Sequence, residues 1–346
     1  MSKLVIICQK VDETDDLLGF FVGWLREFAK HFDQVEVITL GKGEYNLPEN
    51  VCIHSLGKER GAHKWFWLPK MKWLLFRHTR GASAVFCHMS PIFAVIAWPF
   101  ARLRGAKLVL WYLHRSVTLK LKLALRLVDT LVTADKASLN ITSDKIVETG
   151  HGIDVERFVV SDRRYDISYR PLHILSVGRL SPIKDFGTLI RAATLLKERG
   201  RSVQVRIIGK AVMAADRAYE RELRELIAEQ GVSDIVELYG FVPYRDMPEQ
   251  YAWADIVVGG TPKGGLDKAI LEGMAAGCVP FTSNEAMRPH LGAYAERLLY
   301  AHGDADDLVL RLGGFGAYEA ASQSLAASVR EHHALERTVG HIAKYL

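Results

Sequence analysis

Short runs of valine, isoleucine and leucine alternate with amphipathic helical stretches from one end of the chain to the other, and the alternation is interrupted only once. This is the pattern of βαβ units, whose strands are apolar on both faces because helices cover both sides of the sheet. In the first half, strands are expected at 4–8, 35–40, 84–88, 107–112 and 130–133, with helical stretches at 17–31 and 91–103. The pattern breaks around Gly150-His151-Gly152-Ile153-Asp154, and the polar, aperiodic segment 161–171 reads as a linker. Strands then resume at 172–177, 203–208, 235–239, 256–259 and 279–282, with helices near 186–198, 218–230 and 267–276, and 324–346 reads as helical. The expected class is α/β: two Rossmann-like, doubly wound domains at 1–160 and 172–330, followed by a C-terminal helix at 331–346. Ligands of such sheets lie beyond the carboxyl ends of the strands, so two halves facing each other would share a cleft.

A chain of 346 residues, 49% apolar and 25% charged, can bury a core in each half. Cys8, Cys52, Cys87 and Cys278 are far apart and form no Cys-x-x-Cys pair, which disfavours a disulfide framework or a cysteine zinc site and fits a reducing compartment. The apolar stretch 4–8 is too short for a signal peptide. No run reaches the roughly 18 apolar residues of a membrane span, and the longest, 91–100, stops before Arg102. Net charge of +5 favours acidic ligands but falls short of a nucleic-acid signature. These features point to a cytoplasmic protein with no nucleic-acid partner.

Chemistry should therefore sit in loops. The strand at 172–177 runs into Gly178-Arg179-Leu180-Ser181-Pro182-Ile183-Lys184-Asp185. Two cations at the mouth of a sheet suit a diphosphate, Arg179 as a planar fork and Lys184 as a point charge, although most surface lysines and arginines are merely solvated. A second loop, Gly259-Gly260-Thr261-Pro262-Lys263-Gly264-Gly265-Leu266-Asp267-Lys268, opens a helix whose free N–H groups would face an anion. Asp267 either caps that helix or serves a ligand. Glu272 lies among apolar neighbours, so a hydroxyl pair or a cation is expected beside it.

These loops, with Gly240-Phe241-Val242-Pro243, Tyr251, Ala254-Asp255 and Leu271-Glu272-Gly273-Met274-Ala275, resemble the donor domain of glycosyltransferase family 4, of GT-B fold. Gly19, His88-Met89-Ser90-Pro91, Trp111-Tyr112-Leu113-His114 and Gly152-Ile153-Asp154 with Phe158 are similar to that family's acceptor half. The resemblance implies a retaining transferase of hexosyl or related sugars in glycan biosynthesis, with no cofactor and no metal. Its substrates would be a nucleotide-sugar donor and a saccharide or lipid-linked acceptor. It further implies that Arg179 and Lys184, near the strand end at Gly178, hold the donor diphosphate, while Glu272 accepts from the ribose hydroxyls. Backbone groups near Phe241 and Val242 would meet the base. Leu266, Asp267 and Lys268 would lie along the pyrophosphate and sugar, and Gly19 would let backbone approach the phosphates. His114 would stand near the sugar, orienting it or acting as a base, and His88 is a candidate on the acceptor side.

One position departs from the family pattern: the first carboxylate of a Glu-x7-Glu pair is replaced by Gly264. A subgroup in which Asp267 or Lys268 takes over its contacts, a catalytically silent nucleotide-sugar binder, and an epimerase or hydrolase of the same architecture are the resulting alternatives. Asp304-Ala305-Asp306 resembles a metal-nucleotide motif of another architecture, but after Gly303 it is better explained as a helix cap. Segment 64–80 combines Trp65, Trp67 and Trp73 with lysines and arginines, and offers either a peripheral contact with an anionic membrane or a helix packed on the first sheet with its charges in water.

Overall fold

The computed structural model describes residues 2–15, 17–160, 170–313 and 319–346. Most of the expected linker, 161–169, lies outside the described residues. The chain divides into two compact units, Met1–Gly152 with Pro243–Arg245 and His333–Leu346, and Ile153–Val242 with Asp246–His332.

The first unit holds strands β1 (Lys3–Val11), β2 (Gln34–Lys42), β3 (Val51–Ser55), β4 (Ala84–His88), β5 (Lys107–Trp111), β6 (Thr130–Thr133) and β7 (Ile146–Glu148), and helices α1 (Phe21–Phe28), α2 (Lys64–His78), α3 (Pro91–Arg104) and α4 (Leu119–Leu127). The sheet order is β3-β2-β1-β4-β5-β6-β7, parallel throughout. Ile6 of β1 sits beside Val37 of β2 and Phe86 of β4, which explains why these strands read as continuous apolar runs. One face packs Val5, Ile7, Val85 and Cys87 against α2, α3 and α4. The other packs Leu4, Ile6, Val35 and Phe86 against Phe21, Trp24 and Phe28 of α1. Full burial of each such side chain is worth about 1.5–3 kcal/mol.

The second unit holds β8 (Leu172–Val177), β9 (Val203–Ile208), β10 (Val236–Gly240), β11 (Ile256–Gly259) and β12 (Val279–Thr282) in the parallel order β10-β9-β8-β11-β12. Its helices are α5 (Phe186–Glu198), α6 (Ala214–Glu229), α7 (Met247–Trp253), α8 (Lys268–Ala275), the short α9 (Arg288–Leu291) and α10 (Ala295–Leu298), α11 (Ala305–Leu312) and α12 (Glu319–His333). A last helix, α13 (Leu335–Ala343), returns to the first unit, where Leu335, Val339 and Ile342 complete the core beside α1.

Both sheets therefore have the doubly wound order, which reverses between β1 and β4 in one unit and between β8 and β11 in the other. The expected strands are found, and two more appear at β3 and β7. Neither left a strong signal: β3 is an edge strand that is only partly buried, and β7 has three residues. Helix α1 starts later than its apolar pattern because Asp15 Oδ1 accepts from the amides of Leu17 and Leu18 at 3.0 and 2.9 Å and holds them in a turn. The helical stretch expected at 324–346 is broken at Ala334, whose backbone is extended (ψ 139°).

The unit boundary at 152/153 precedes the one expected at 160, and the reason is packing. The turn Val155–Phe158 contacts α7 and α8, with the Phe158 ring edge-on to Tyr251 at 5.4 Å. Gly152, on the first-unit side, has φ +73° and its carbonyl accepts from Trp24 Nε1 at 3.3 Å. A Cβ there would fall 2.4 Å from the Trp24 ring. Gly152→Ala should therefore cost about 2–4 kcal/mol, through strain at left-handed φ plus displacement of a core tryptophan; denaturant unfolding measures the loss, and an unchanged midpoint would contradict it.

Candidate functional site

Strands β8 and β11 are neighbours at the reversal of the second sheet, and their loops carry the residues singled out above. After β8 the chain passes Gly178 and Arg179 and turns through Pro182–Lys184. Asp185 then takes a left-handed conformation, φ +46°, as it enters α5, with Oδ2 accepting from Thr188 Oγ1 at 2.8 Å. A non-glycine residue held in this region is strained and persists only when its surroundings fix it. The glycine-rich loop supplies that support: a Cβ on Gly260 would lie 2.5 Å from the Lys184 carbonyl oxygen, so the two loops pack backbone to backbone.

Asp267 joins them. Its Oδ1 caps α8 by accepting from the amide of Ala269 at 3.2 Å, while Oδ2 accepts from Lys184 Nζ at 3.1 Å. The cap and the cation partner are thus one side chain, so Asp267 caps the helix as one of its two readings expected. The Lys184 ammonium is placed at the positive end of α8, where a second negative group would be welcome. Arg179 is held differently, its Nε 3.5 Å from Asp216 Oδ2. Asp216 is itself buried and accepts from the amide of Met213 at 2.9 Å at the start of α6.

Glu272 has its partners within the protein. Lys268 Nζ stands 3.0 Å from Oε1, and the Tyr251 hydroxyl is 3.1 Å from Oε2 and from the Ala269 carbonyl. Burial pulls the Lys268 ammonium below its usual range, and the Glu272 carboxylate opposes that shift. Burial, with the Glu272 charge adding to it, raises the Tyr251 phenol well above its ordinary value. Lys268 is thus a cation beside Glu272, one of the two kinds of partner expected there. Leu266 is buried, and Phe241 and Val242 are half-buried, with Lys210 Nζ 4.5 Å from the Phe241 ring centre.

Several residues went unnoticed in the sequence. Asp216, Lys210 and Asn284 carry no motif; Asn284 is buried and donates to the Gly265 carbonyl at 3.0 Å, fixing the glycine-rich loop. The hydroxyls of Ser181 and Thr261 are buried in the two loops without a hydrogen-bond partner among the described residues. At Gly264 an added Cβ would meet nothing within 4 Å, so the absent carboxylate is not excluded by packing. Asp304 accepts from the amide of Asp307 at 2.9 Å and caps α11, as its setting suggested.

In the first unit the candidate residues also follow strand ends, but their environments differ. Gly19 packs on its own loop, where a Cβ would meet the carbonyl oxygens of Glu13 and Asp15 at 2.9 Å. The Tyr244 Cβ would lie 3.2 Å away as well, so the crowding that requires glycine here comes from within the first unit. His114 is exposed, and its Nδ1 accepts from the Ser116 amide at 2.9 Å, which leaves Nε2 to carry the proton of the neutral ring. His88 is fully buried instead, stacked between Phe21 at 4.0 Å and Trp111 at 5.3 Å, with neither nitrogen bonded to a described residue. It is a core residue, placed at a strand end but facing inward.

Residues 162–315 match the family model described as "Glycosyl transferases group 1". The amylovoran biosynthesis glycosyltransferase AmsK of Erwinia amylovora is 32% identical over 154 residues, which is 43% of this chain and 36% of the relative. WcaL of Escherichia coli, named for colanic acid biosynthesis, is 31% identical over 179 residues, 50% of this chain and 42% of the relative. The matches thus span about two fifths of these relatives. Among solved structures, HepE of Anabaena in complex with UDP and glucose superposes with a TM-score of 0.76 over 99% of both chains at 16% identity, a likeness of fold that places both units in the GT-B class.

Burial holds the His88 pKa down at about 3, against 6.5 for a free imidazole. The unfolded chain therefore binds a proton below about pH 6.5 that the folded protein refuses until about pH 3. Stability from this residue is complete above pH 6.5, falls with acidification and levels off near pH 3. His88→Phe should flatten that part of the pH–stability curve in urea unfolding; parallel curves for the two proteins would refute a neutral core histidine.

Proposed function

We propose that this chain, whose residues 162–315 carry the group 1 glycosyl transferase domain, moves a sugar from a nucleotide-sugar donor to a saccharide or lipid-linked acceptor, retaining the anomeric configuration. The observation that carries the reading is the placement of Lys184 against Asp267 at the start of α8, with Arg179 on the same strand-end loop. A donor diphosphate brought to this loop pair meets a lysine, an arginine, a helix N-terminus and two unpartnered hydroxyls. The bond from the anomeric carbon to the diphosphate breaks, the acceptor oxygen bonds to that carbon on the same face, and the acceptor proton leaves with the diphosphate. Lys184 and Arg179 stabilise the charge that grows on the leaving group, an electrostatic contribution set in place before reaction. Glu272 receives the ribose hydroxyls, and Lys268, already paired to it, lies along the donor. His114 orients the sugar through Nε2. No divalent cation serves the diphosphate here, because side-chain cations fill that role. HepE, described with UDP and glucose, supports a donor of this class.

Gly264 favours a second reading, a silent nucleotide-sugar binder, because the carboxylate that resembling enzymes place there is absent. Nucleotide diphosphate release from a panel of donors separates the possibilities. Release that requires acceptor supports transfer, saturable binding without release supports the silent binder, and release without acceptor supports hydrolysis. With transfer in hand, Lys184→Ala and Arg179→Ala should each lower turnover by about 10²–10³, or roughly 3 kcal/mol, the scale of a lost oxyanion donor. Undiminished turnover in both variants would reject the assignment.

The reading extends to where the protein works. Helix α2 buries Met71, Leu74 and Leu75 but leaves Trp65 81%, Phe66 70%, Trp73 55% and Phe76 55% exposed, interspersed with Lys70, Lys72 and Arg77. Arg104 of α3 lies 5.5 Å from the Phe76 ring, and Leu103 on α3 and Leu119 on α4 are exposed as well. Aromatic side chains among cations fit an anionic bilayer surface, and no helix among the described residues is long and apolar enough to cross one. The protein would then act at the cytoplasmic face as a peripheral enzyme. A Trp65→Ser, Phe66→Ser, Trp73→Ser variant should lose co-flotation with phosphatidylglycerol vesicles while the wild type floats at low salt. Equal flotation of the two, or none by the wild type, would end this part of the proposal.

A further inference from the structure

On the α2 side of the first sheet, Glu36 of β2, His54 of β3 and His78 at the end of α2 each bring one ligand atom to within 4.8 Å of the others. We propose that these three side chains bind a zinc ion that fastens the edge strand β3 and the last turn of α2 to β2.

Glu36 is 5% exposed, and a single oxygen, Oε2, serves both rings: His54 Nε2 lies at 2.5 Å and His78 Nδ1 at 3.2 Å. The ring centres are 4.1 Å apart. A tetrahedral zinc ion with bonds of about 2.0–2.1 Å holds its ligand atoms about 3.4 Å apart. The Glu36–His78 distance already has that spacing. His54 must open by under about 1 Å to match it, and its place on an edge strand with a side chain 26% exposed allows this movement and gives the ion an entry path. The carboxylate is oriented from behind, because Gln34 Nε2 donates to Glu36 Oε1 at 2.8 Å and leaves Oε2 to the rings. Such outer hydrogen bonds commonly fix metal ligands. Two imidazoles and one carboxylate suit zinc rather than magnesium or calcium, which prefer all-oxygen sites. Water completes the fourth position.

The test uses full-length protein freed of any affinity tag and stripped with a chelator. Zinc titrated calorimetrically should bind at one ion per chain and raise the melting temperature, and magnesium should do neither. Cobalt in its place should show the visible absorption of a four-coordinate nitrogen–oxygen site. His54→Gln and His78→Gln should each abolish the stoichiometric binding, and Gln34→Ala should weaken it by about 10- to 100-fold. A wild-type chain that takes up no stoichiometric zinc overturns the proposal outright, whatever the folding of the variants; so does retention of the same site by folded His54→Gln and His78→Gln proteins.

Discussion

The contact between Lys184 and Asp267 ties together the two loops at the reversal of the second sheet, and much of the candidate site depends on it. Asp267 both satisfies a free amide of α8 and balances a lysine. The pairing keeps an ammonium group near a helix N-terminus, where like polarity would otherwise push it toward solvent. An incoming anion would relieve that same tension. The strained backbone of Asp185 and the close approach of Gly260 belong to this arrangement, since each fixes where Lys184 leaves the main chain.

A second layer lies behind it. Glu272, Lys268 and Tyr251 form a buried polar group along the first turns of α8, and each satisfies another. Removing one partner from such a group strands a charge away from water, which typically costs more than the pairing contributes. Conserving charge balance around the buried Glu272 is therefore a packing problem. The Phe158 turn, seated against Tyr251, is part of its solution.

Most strands were legible in the sequence because sheets covered on both faces demand unbroken apolar runs, and Leu4 to Ile7 or Val257 and Val258 can hardly be anything else. Helix α5 was equally plain, starting just after a loop rich in turn residues. What escaped was set by partners distant along the chain. β3 became a strand by pairing with β2, and Val155–Phe158 joined the second unit through contacts with α7 and α8. Within the candidate site, motif residues could be named in advance but their pairings could not. Arg179 facing Asp216 and Glu272 facing Lys268 follow from strand register and helix phase. His88, a candidate by its strand-end position, is enclosed by Phe21, Trp24 and Trp111, an aromatic cage that no local pattern announces.

The open space around Gly264 sets that position apart. Most positions in these loops are pinned by close neighbours, so a change at one demands a compensating change at another. Position 264 carries no such constraint, since a new side chain would enter vacant volume on a helix approach already ordered by Asn284. An added carboxylate there would leave the scaffold undisturbed. Residue 264 is thus a place where the loop can change its chemistry while the packing around it stays as it is.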